Sequence, residues 1–410
     1  MSERYIGRQP IIDTRAKIAA YDLLYRESGH SDNNSVTAAV ISNLLGTFSM
    51  NAILGKHLGF VRIDGEFLEY DVIHSLPKEK IVYALLTDTK ITEIILKRLS
   101  ALKDEGYLFA LNDCIYDHKT ADIFAPLLPS LQYMKIDVSR SDLTLVKNFI
   151  PMLRRYGIKL IGAKIESHDV YELCRSMGFD YFQGYFISEP NIIKNAAFSP
   201  EHEGIIRLWN LLQNDTEIPE LVEEFQHNHA LSMKLLHFIN SAAFSLRNPV
   251  SSIEHVLKLM GRDPISQWIM LLMFSEGEKN SEVRVPLVLM VINRTELMSS
   301  LLNLVNPSAS RGEKSTAYFV GMLSLIHLLF HMPQKEVLSR LNISPEIEAA
   351  LLKGEGIYGE LLEVVRSIEL FDTEAVGNYL KTKGLSFSYI EPLLQQVMEK
   401  VNTFEKAMEQ

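Results

Sequence analysis

The rhythm of apolar residues changes once along this chain, and that change constrains the fold more than any single motif does. Up to about residue 195, short apolar runs alternate with amphipathic stretches. The runs are Phe60–Ile63, Lys80–Leu86, Tyr107–Leu111, Tyr133–Ile136, Lys159–Ile165 and Tyr181–Phe186. They are short and rich in Ile, Val, Tyr and Phe, as strands buried on both faces are. Between them lie helical patterns such as Ile91–Leu102, with Ile91, Ile94, Ile95, Leu99 and Leu102 on one stripe. Strand then helix, repeated this often, predicts an α/β fold whose parallel sheet closes into a TIM-like barrel. The opening segment departs from the pattern. Arg8–Ile12 and Ile18–Arg26, joined by the polar Asp13–Lys17, read as a hairpin, so the first strand should run antiparallel.

After residue 195 the strand signals fade. Ser199-Pro200-Glu201 is a helix start: a serine cap, proline at the first helical position, and an acid beside the positive end of the dipole. Ser344-Pro345-Glu346 repeats it. Helical stripes run through Leu221–Phe225, Leu231–Ile239, Ile253–Leu259, Ile265–Phe274 and Ala317–Phe330. A chain of 410 residues exceeds one ordinary core. The expected division is a barrel over residues 1–195 and an all-α domain over 196–410, with the boundary near Asn191–Ser199. Gly277–Ser281 and Asn306–Glu313 are polar enough for exposed loops.

Composition excludes some functions. A net charge of -10 argues against general nucleic-acid binding, which needs a basic face. Two cysteines, Cys114 and Cys174, lie in no paired motif and read as buried thiols in a reducing compartment. MSERYIGRQP has no apolar signal region, and the apolar stretch Phe319–Met332 is short and interrupted by Ser324 and His327. A cytoplasmic protein without membrane insertion is expected.

Several motifs fall at the carboxyl ends of the expected strands. They are Tyr21-Asp22-Leu23-Leu24-Tyr25-Arg26, Leu111-Asn112-Asp113, Lys135-Ile136-Asp137, Lys164-Ile165-Glu166-Ser167 and Phe182-Gln183-Gly184-Tyr185. In these the first half resembles the EAL domain, a barrel whose active members hydrolyse cyclic di-GMP with two metal ions. The second half resembles the HDOD domain, a relative of HD hydrolases without their metal-binding residues. That resemblance rests on Leu231-Ser232-Met233-Lys234-Leu235-Leu236, Asn240-Ser241-Ala242-Ala243-Phe244, Ser252-Ile253-Glu254-His255, Leu259-Met260-Gly261-Arg262 and Trp268. It continues at Tyr318–Leu323 and Ile343–Leu351. The pair of halves is similar to the EAL-HDOD family of bacterial signalling proteins.

The resemblance also implies which ligands are missing. Paired divalent ions roughly 3.5–4 Å apart need several convergent oxygen ligands, mostly carboxylates. Asp22 stands at the signature glutamate, and Asp64 is aligned with the family asparagine on the next strand. By the same resemblance, glutamates are lost at Ala84 and Ala163, and the first of two paired aspartates is Asn112. Arg26, Asp113, Lys135, Asp137, Glu166 and Gln183 persist as a remnant pocket. With so few anionic ligands two dications would repel each other. No metal, no cofactor and no phosphodiesterase turnover are expected.

Each survivor also has a purely structural reading. Arg26, which meets a phosphate in the active family, could pair with Asp113 or Asp64. Lys135 and Asp137 could form an ion pair, and Gln183 could satisfy backbone groups beside Gly184. In the helical half, His227 and His229 would point about 200° apart on one helix. His327 and His331 would share a face, a metal-ligand spacing that reads better as packing. The expected function is a catalytically inactive regulator that binds a protein partner through the HDOD half, with homodimerisation as a further expectation. The alternative is a non-hydrolysing cyclic di-GMP sensor, and behind it a residual phosphodiesterase.

Overall fold

The computed structural model describes residues 4–27, 50–184, 186, 200–214, 216–240, 250–276 and 284–408. Ser199, the 241–244 stretch, the Gly277–Ser281 loop and the Asn191–Ser199 boundary lie outside the described residues, as does the side chain of Arg26.

Eight strands among the described residues close into a barrel in sequence order. They are β1 (Arg4–Asp13), β2 (Ile18–Glu27), β3 (Leu58–Ile63), β4 (Ile81–Leu85), β5 (Leu108–Cys114), β6 (Tyr133–Asp137), β7 (Lys159–Ile165) and β8 (Tyr181–Gly184). β1 pairs antiparallel with both β2 and β8, so the hairpin expected from the sequence also seals the cylinder. All other pairings are parallel. Side chains fill the interior: Ile11, Ala20, Phe60, Val82, Ala84, Ala110, Tyr133 and Ile161 form one buried cluster. Alternate residues point inward, so this interior follows directly from the strand period.

Helices α1 (Met50–Leu54), α2 (Glu93–Asp104), α3 (His118–Phe124), α4 (Leu143–Arg155) and α5 (His168–Met177) connect the strands. Side chains cap them where the sequence places a polar residue before the apolar stripe. Thr92 accepts from the Ile95 N–H, Asp142 from those of Thr144 and Leu145, and Ser167 from that of Val170.

Then follow α6 (Pro200–Gln213), α7 (Ile218–His227), α8 (His229–Ile239), α9 (Ile253–Met260), α10 (Arg262–Glu276), α11 (Arg284–Val305), α12 (Arg311–Leu323), α13 (Ile326–Phe330), α14 (Gln334–Leu338), α15 (Pro345–Lys353), α16 (Gly356–Glu369), α17 (Thr373–Thr382) and α18 (Ile390–Met408). Ser344 caps α15 by accepting from the Ile347 N–H, with Pro345 at the first helical position, as its sequence announces. The expected Ala317–Phe330 run is two helices, because the chain turns at Ser324 and Leu325 between α12 and α13. Its histidines therefore do not share a helix face: His331 sits beyond the end of α13 with φ 53°. His227 and His229 belong to different helices, separated by the capping residue Asn228. The core of the helical unit includes Trp209, edge-on to Phe319, while the half-buried Phe238 stacks on the half-buried Trp268.

By length and composition, Val285–Val305 is apolar enough to cross a membrane, a segment the sequence reading passed over. It is 61% buried inside the protein, which is how a core helix behaves. Arg294 is buried in it and donates to Ser324 Oγ at 3.0 Å.

The chain forms two compact units, Met1–Glu189 with Val364–Gln410, and Pro190–Glu363. The last 47 or so residues, expected in the helical half, thus cluster with the barrel. The apolar stripe of α18 explains why. Ile390, Leu393, Leu394, Val397, Met398 and Val401 are buried, and the helix packs against α1 and β1. A Cβ on Gly7 of β1 would lie 1.4 Å from the Phe371 ring, so only glycine leaves room for that aromatic. Polar contacts fix the position. Arg8 donates to Asn402 Oδ1 at 2.7 Å and to the Ile53 carbonyl, and its guanidinium lies 4.2 Å from the Tyr21 ring centroid. Both Glu405 oxygens lie 2.9 Å from His57 Nε2 in a buried pair. An amphipathic stripe announces that it will be buried, but not against what.

Candidate functional site: a self-neutralised barrel mouth

Asp22 is the centre of the site. It is fully buried on β2, and its Oδ2 accepts from Lys135 Nζ at 2.5 Å and Gln183 Nε2 at 3.1 Å, with Arg62 Nη2 at 3.4 Å. Gln183 reaches across to β1 as well, donating to Gln9 Oε1 at 2.6 Å. Asp113 completes a double pair: Lys135 lies 3.2 Å from its Oδ1 and Arg62 3.8 Å from its Oδ2. Two carboxylates and two cations therefore neutralise each other. Burial alone would push the Asp22 carboxyl up, but Lys135 and Arg62, helped by the Lys135 and Gln183 hydrogen bonds, hold it below the ordinary carboxylate range. The same carboxylates raise Arg62 against the lowering effect of its own burial.

Two register shifts shape the rim. One interrupts the β5–β6 pairing between Leu111 and Cys114, where Asp113 takes φ 44°. The other interrupts β7–β8 between Gly162 and Ile165, where Lys164 takes φ 57°. Bulges of this kind re-aim side chains at strand ends. The second turns Lys164 onto Asp137, at 2.6 Å from its Oδ2, while Ser139 donates to Asp137 Oδ1 at 2.6 Å. Burial would raise the Asp137 carboxyl, but these hydrogen bonds and the Lys164 charge depress it. β8 ends at Gly184, whose φ is 156° and where a Cβ would meet the Ile165 carbonyl oxygen at 2.0 Å.

The remnant set is thus only partly gathered. Asp22, Asp113, Lys135 and Gln183 meet. Lys135 pairs with Asp22 and Asp113 rather than with Asp137, which takes Lys164 instead. Asp64 stands apart: its Oδ1 accepts from the Phe67 N–H at 2.9 Å and stabilises the turn after β3. Glu166 lies exposed just past β7. Ala84 and Ala163 are buried and offer methyl groups, Ala84 facing the barrel interior. Sequence reading missed Arg62 and Gln9. A charged residue inside the apolar run Phe60–Ile63 was the available signal for Arg62; it occupies the β3 position paired with Ala84. Gln9 gave none.

The mouth does not fit two dications. Its two convergent carboxylates already carry two built-in cations, so a dication would enter a neutral set and face Lys135 and Arg62 directly. Among the described residues, no group of three or more His, Cys, Asp or Glu could hold a metal ion. Asp22 Oδ1, Asn112 Oδ1, Asp113 Oδ1 and Gln183 Oε1 are buried acceptors without a hydrogen bond, and they suit water or another hydrogen-bond donor. The two thiols are buried and free, with Cys114 pushed up to about 12 and Cys174 to about 11 by burial, which leaves them unreactive.

Comparison with known proteins agrees with this architecture. Residues 94–190 match the model of the EAL domain, and residues 203–342 that of the HDOD domain. The YuxH protein of Bacillus subtilis, described as uncharacterized, is 26% identical over 405 residues, covering 95% of this chain and 97% of its own. The cyclic di-GMP phosphodiesterase CdgJ of Vibrio cholerae is 25% identical over 409 residues, covering 97% of this chain and 92% of its own. Among solved structures, an EAL domain protein of Listeria monocytogenes is 18% identical with a TM-score of 0.38, covering 46% of this chain and 88% of its own. The chain is an EAL-HDOD protein, an EAL barrel followed by an HDOD domain.

Proposed function

We propose that this chain acts in cyclic di-GMP signalling as a cytoplasmic regulatory protein without phosphodiesterase turnover, its output carried by contact of the HDOD domain with a protein partner. The observation that carries this reading is the pairing of Asp22 and Asp113 with Lys135 and Arg62. Metal-assisted phosphodiester hydrolysis needs cations that polarise a water and the leaving oxygen. Lys135 and Arg62 supply positive charge but no open coordination position. The methyl groups of Ala84 and Ala163 supply no ligand to rebuild one.

The other reading is an active phosphodiesterase, favoured by the name of the Vibrio cholerae relative and its coverage of 97% of this chain. Incubation of the full chain with cyclic di-GMP and Mg²⁺ or Mn²⁺, followed by chromatography of the nucleotides, decides between them. No linear dinucleotide is expected. Product formation that Asp113→Ala abolishes would overturn the proposal.

A further inference from the structure

Three consecutive residues of β1, Gly7 to Gln9, touch both the barrel mouth and the carboxyl-terminal tail of the same unit, residues 371–408. Alternate side chains of a strand share a face. Gly7, Gln9 and Ile11 share the inward one, because the β1–β2 register is regular up to Ile11 and Ile11 belongs to the interior cluster. On that face Gln9 Oε1 accepts from Gln183 Nε2 at 2.6 Å, and the same nitrogen donates to Asp22 Oδ2 at 3.1 Å. Two residues along, the Phe371 ring fills the space over Gly7. Arg8 faces outward, donating to Asn402 Oδ1 and to the Met398 carbonyl of α18. β2 repeats the division. Asp22 looks into the mouth, whereas Tyr21 lies against the Arg8 guanidinium and edge-on to His57, 5.5 Å between ring centroids, and His57 meets Glu405.

The position of Gly7–Gln9 therefore depends on both neighbours. The β1–β8 ladder covers Ile12–Phe182 and Asp13–Tyr181 among the described residues, so toward the amino terminus the Gln9–Gln183 bond continues the tie to β8. On the tail side Phe371 holds φ 58°, a conformation that non-glycine residues adopt only where surrounding contacts enforce it. The chain reaches this tail directly from the Pro190–Glu363 unit.

We propose that the mouth and the tail are energetically coupled: the hydrogen bonds of Gln183 and Asp22 fix Gly7–Gln9, and that position sets how firmly residues 371–408 hold to the barrel. A molecule that takes over those hydrogen bonds loosens the tail, and a loosened tail weakens them in return, since coupling between two sites is reciprocal. The tail continues the chain of the helical unit, so the coupling gives the mouth a covalent route to that unit. It requires no turnover.

Hydrogen exchange of the full chain at the amides of residues 390–408 reads the tail directly. Gln9→Met keeps the length of the side chain and removes its bond to Gln183, and Gln183→Met breaks the same bond from β8. Asn402→Ala removes the bond to Arg8. Ile150→Val, at a buried position of α4 between β6 and β7, controls for a general loss of stability. Gln9→Met and Gln183→Met should each speed tail exchange at least about fivefold, the lower end for coupled sites. Ile150→Val should leave it within about twofold. In the double variant, the accelerations by Gln9→Met and Asn402→Ala should combine to less than their product. Equal acceleration by Gln9→Met and Ile150→Val would overturn the proposal, because the tail would then open only with the whole unit. So would a tail unmoved by both mouth variants, or accelerations that simply multiply.

Discussion

Replacing Lys135 with methionine keeps the length of the side chain and removes the charge that most directly compensates Asp22. Breaking a buried ion pair from one side costs about 3–5 kcal/mol, because the remaining charge is stranded. Here the lower end applies. Arg62 still lies 3.4 Å away, but its side chain is 37% exposed, and Gln183 still donates a hydrogen bond. About 3 kcal/mol corresponds to roughly a hundredfold faster amide exchange in β2 and β6. The readout should be hydrogen exchange or circular dichroism, because both tryptophans, Trp209 and Trp268, lie in the helical unit and do not report on the barrel. The sign of the pH dependence follows from the carboxyl. In the native protein Asp22 is depressed, so its contribution is fully present above the ordinary carboxylate pKa and lost as pH falls through the lower folded value. With Lys135 gone, burial dominates and raises Asp22, so the penalty is full at pH 8 and shrinks toward pH 5 as the carboxyl takes up a proton. The double variant Asp22→Asn with Lys135→Met should recover stability to within about 1 kcal/mol of the native protein, since no charge is left stranded at Asp22. A Lys135→Met cost below about 1 kcal/mol, or one independent of pH, would refute the central role given to this pair.

Two further outcomes follow from the barrel unit. Glu405→Gln should cost about 1–3 kcal/mol by weakening the buried contact with His57, with faster exchange concentrated in residues 390–408. Burial would raise the Glu405 carboxyl, but His57, then Lys56 and Arg8, hold it below its ordinary value. The native tail therefore keeps this contribution above that value and loses it as pH falls through the depressed one, and an identical acid profile in the variant would contradict the assignment. Gly184→Ala should destabilise the barrel by about 3 kcal/mol or more, because the added Cβ meets the Ile165 backbone rather than a movable side chain. A urea midpoint equal to the native one would show that β7 and β8 can part at little cost.

Much of this protein is legible in local pattern. Short apolar runs rich in Ile, Val, Tyr and Phe mark the strands, the polar Asp13–Lys17 between two runs marks the hairpin, and Ser344-Pro345 marks a helix start. That the alanines at 84 and 163 stand where carboxylates would be expected is implied by the resemblance to the EAL domain, not by the strand pattern itself. What the chain's order could not reveal are choices among distant partners. Lys135 and Asp137 are two apart on one strand and suggest a pair, but a bulge at Lys164 and the closure of the barrel over Asp22 give each another partner. Arg62 becomes a counter-ion only because β2, β3 and β5 bring Asp22 and Asp113 to it. The amphipathic stripe of α18 would bury equally well on many surfaces. It lies on the barrel because Arg8, His57 and the gap at Gly7 are complementary to Asn402, Glu405 and Phe371. Periodicity is a property of neighbours in sequence, whereas charge compensation depends on separations that only the closed fold sets.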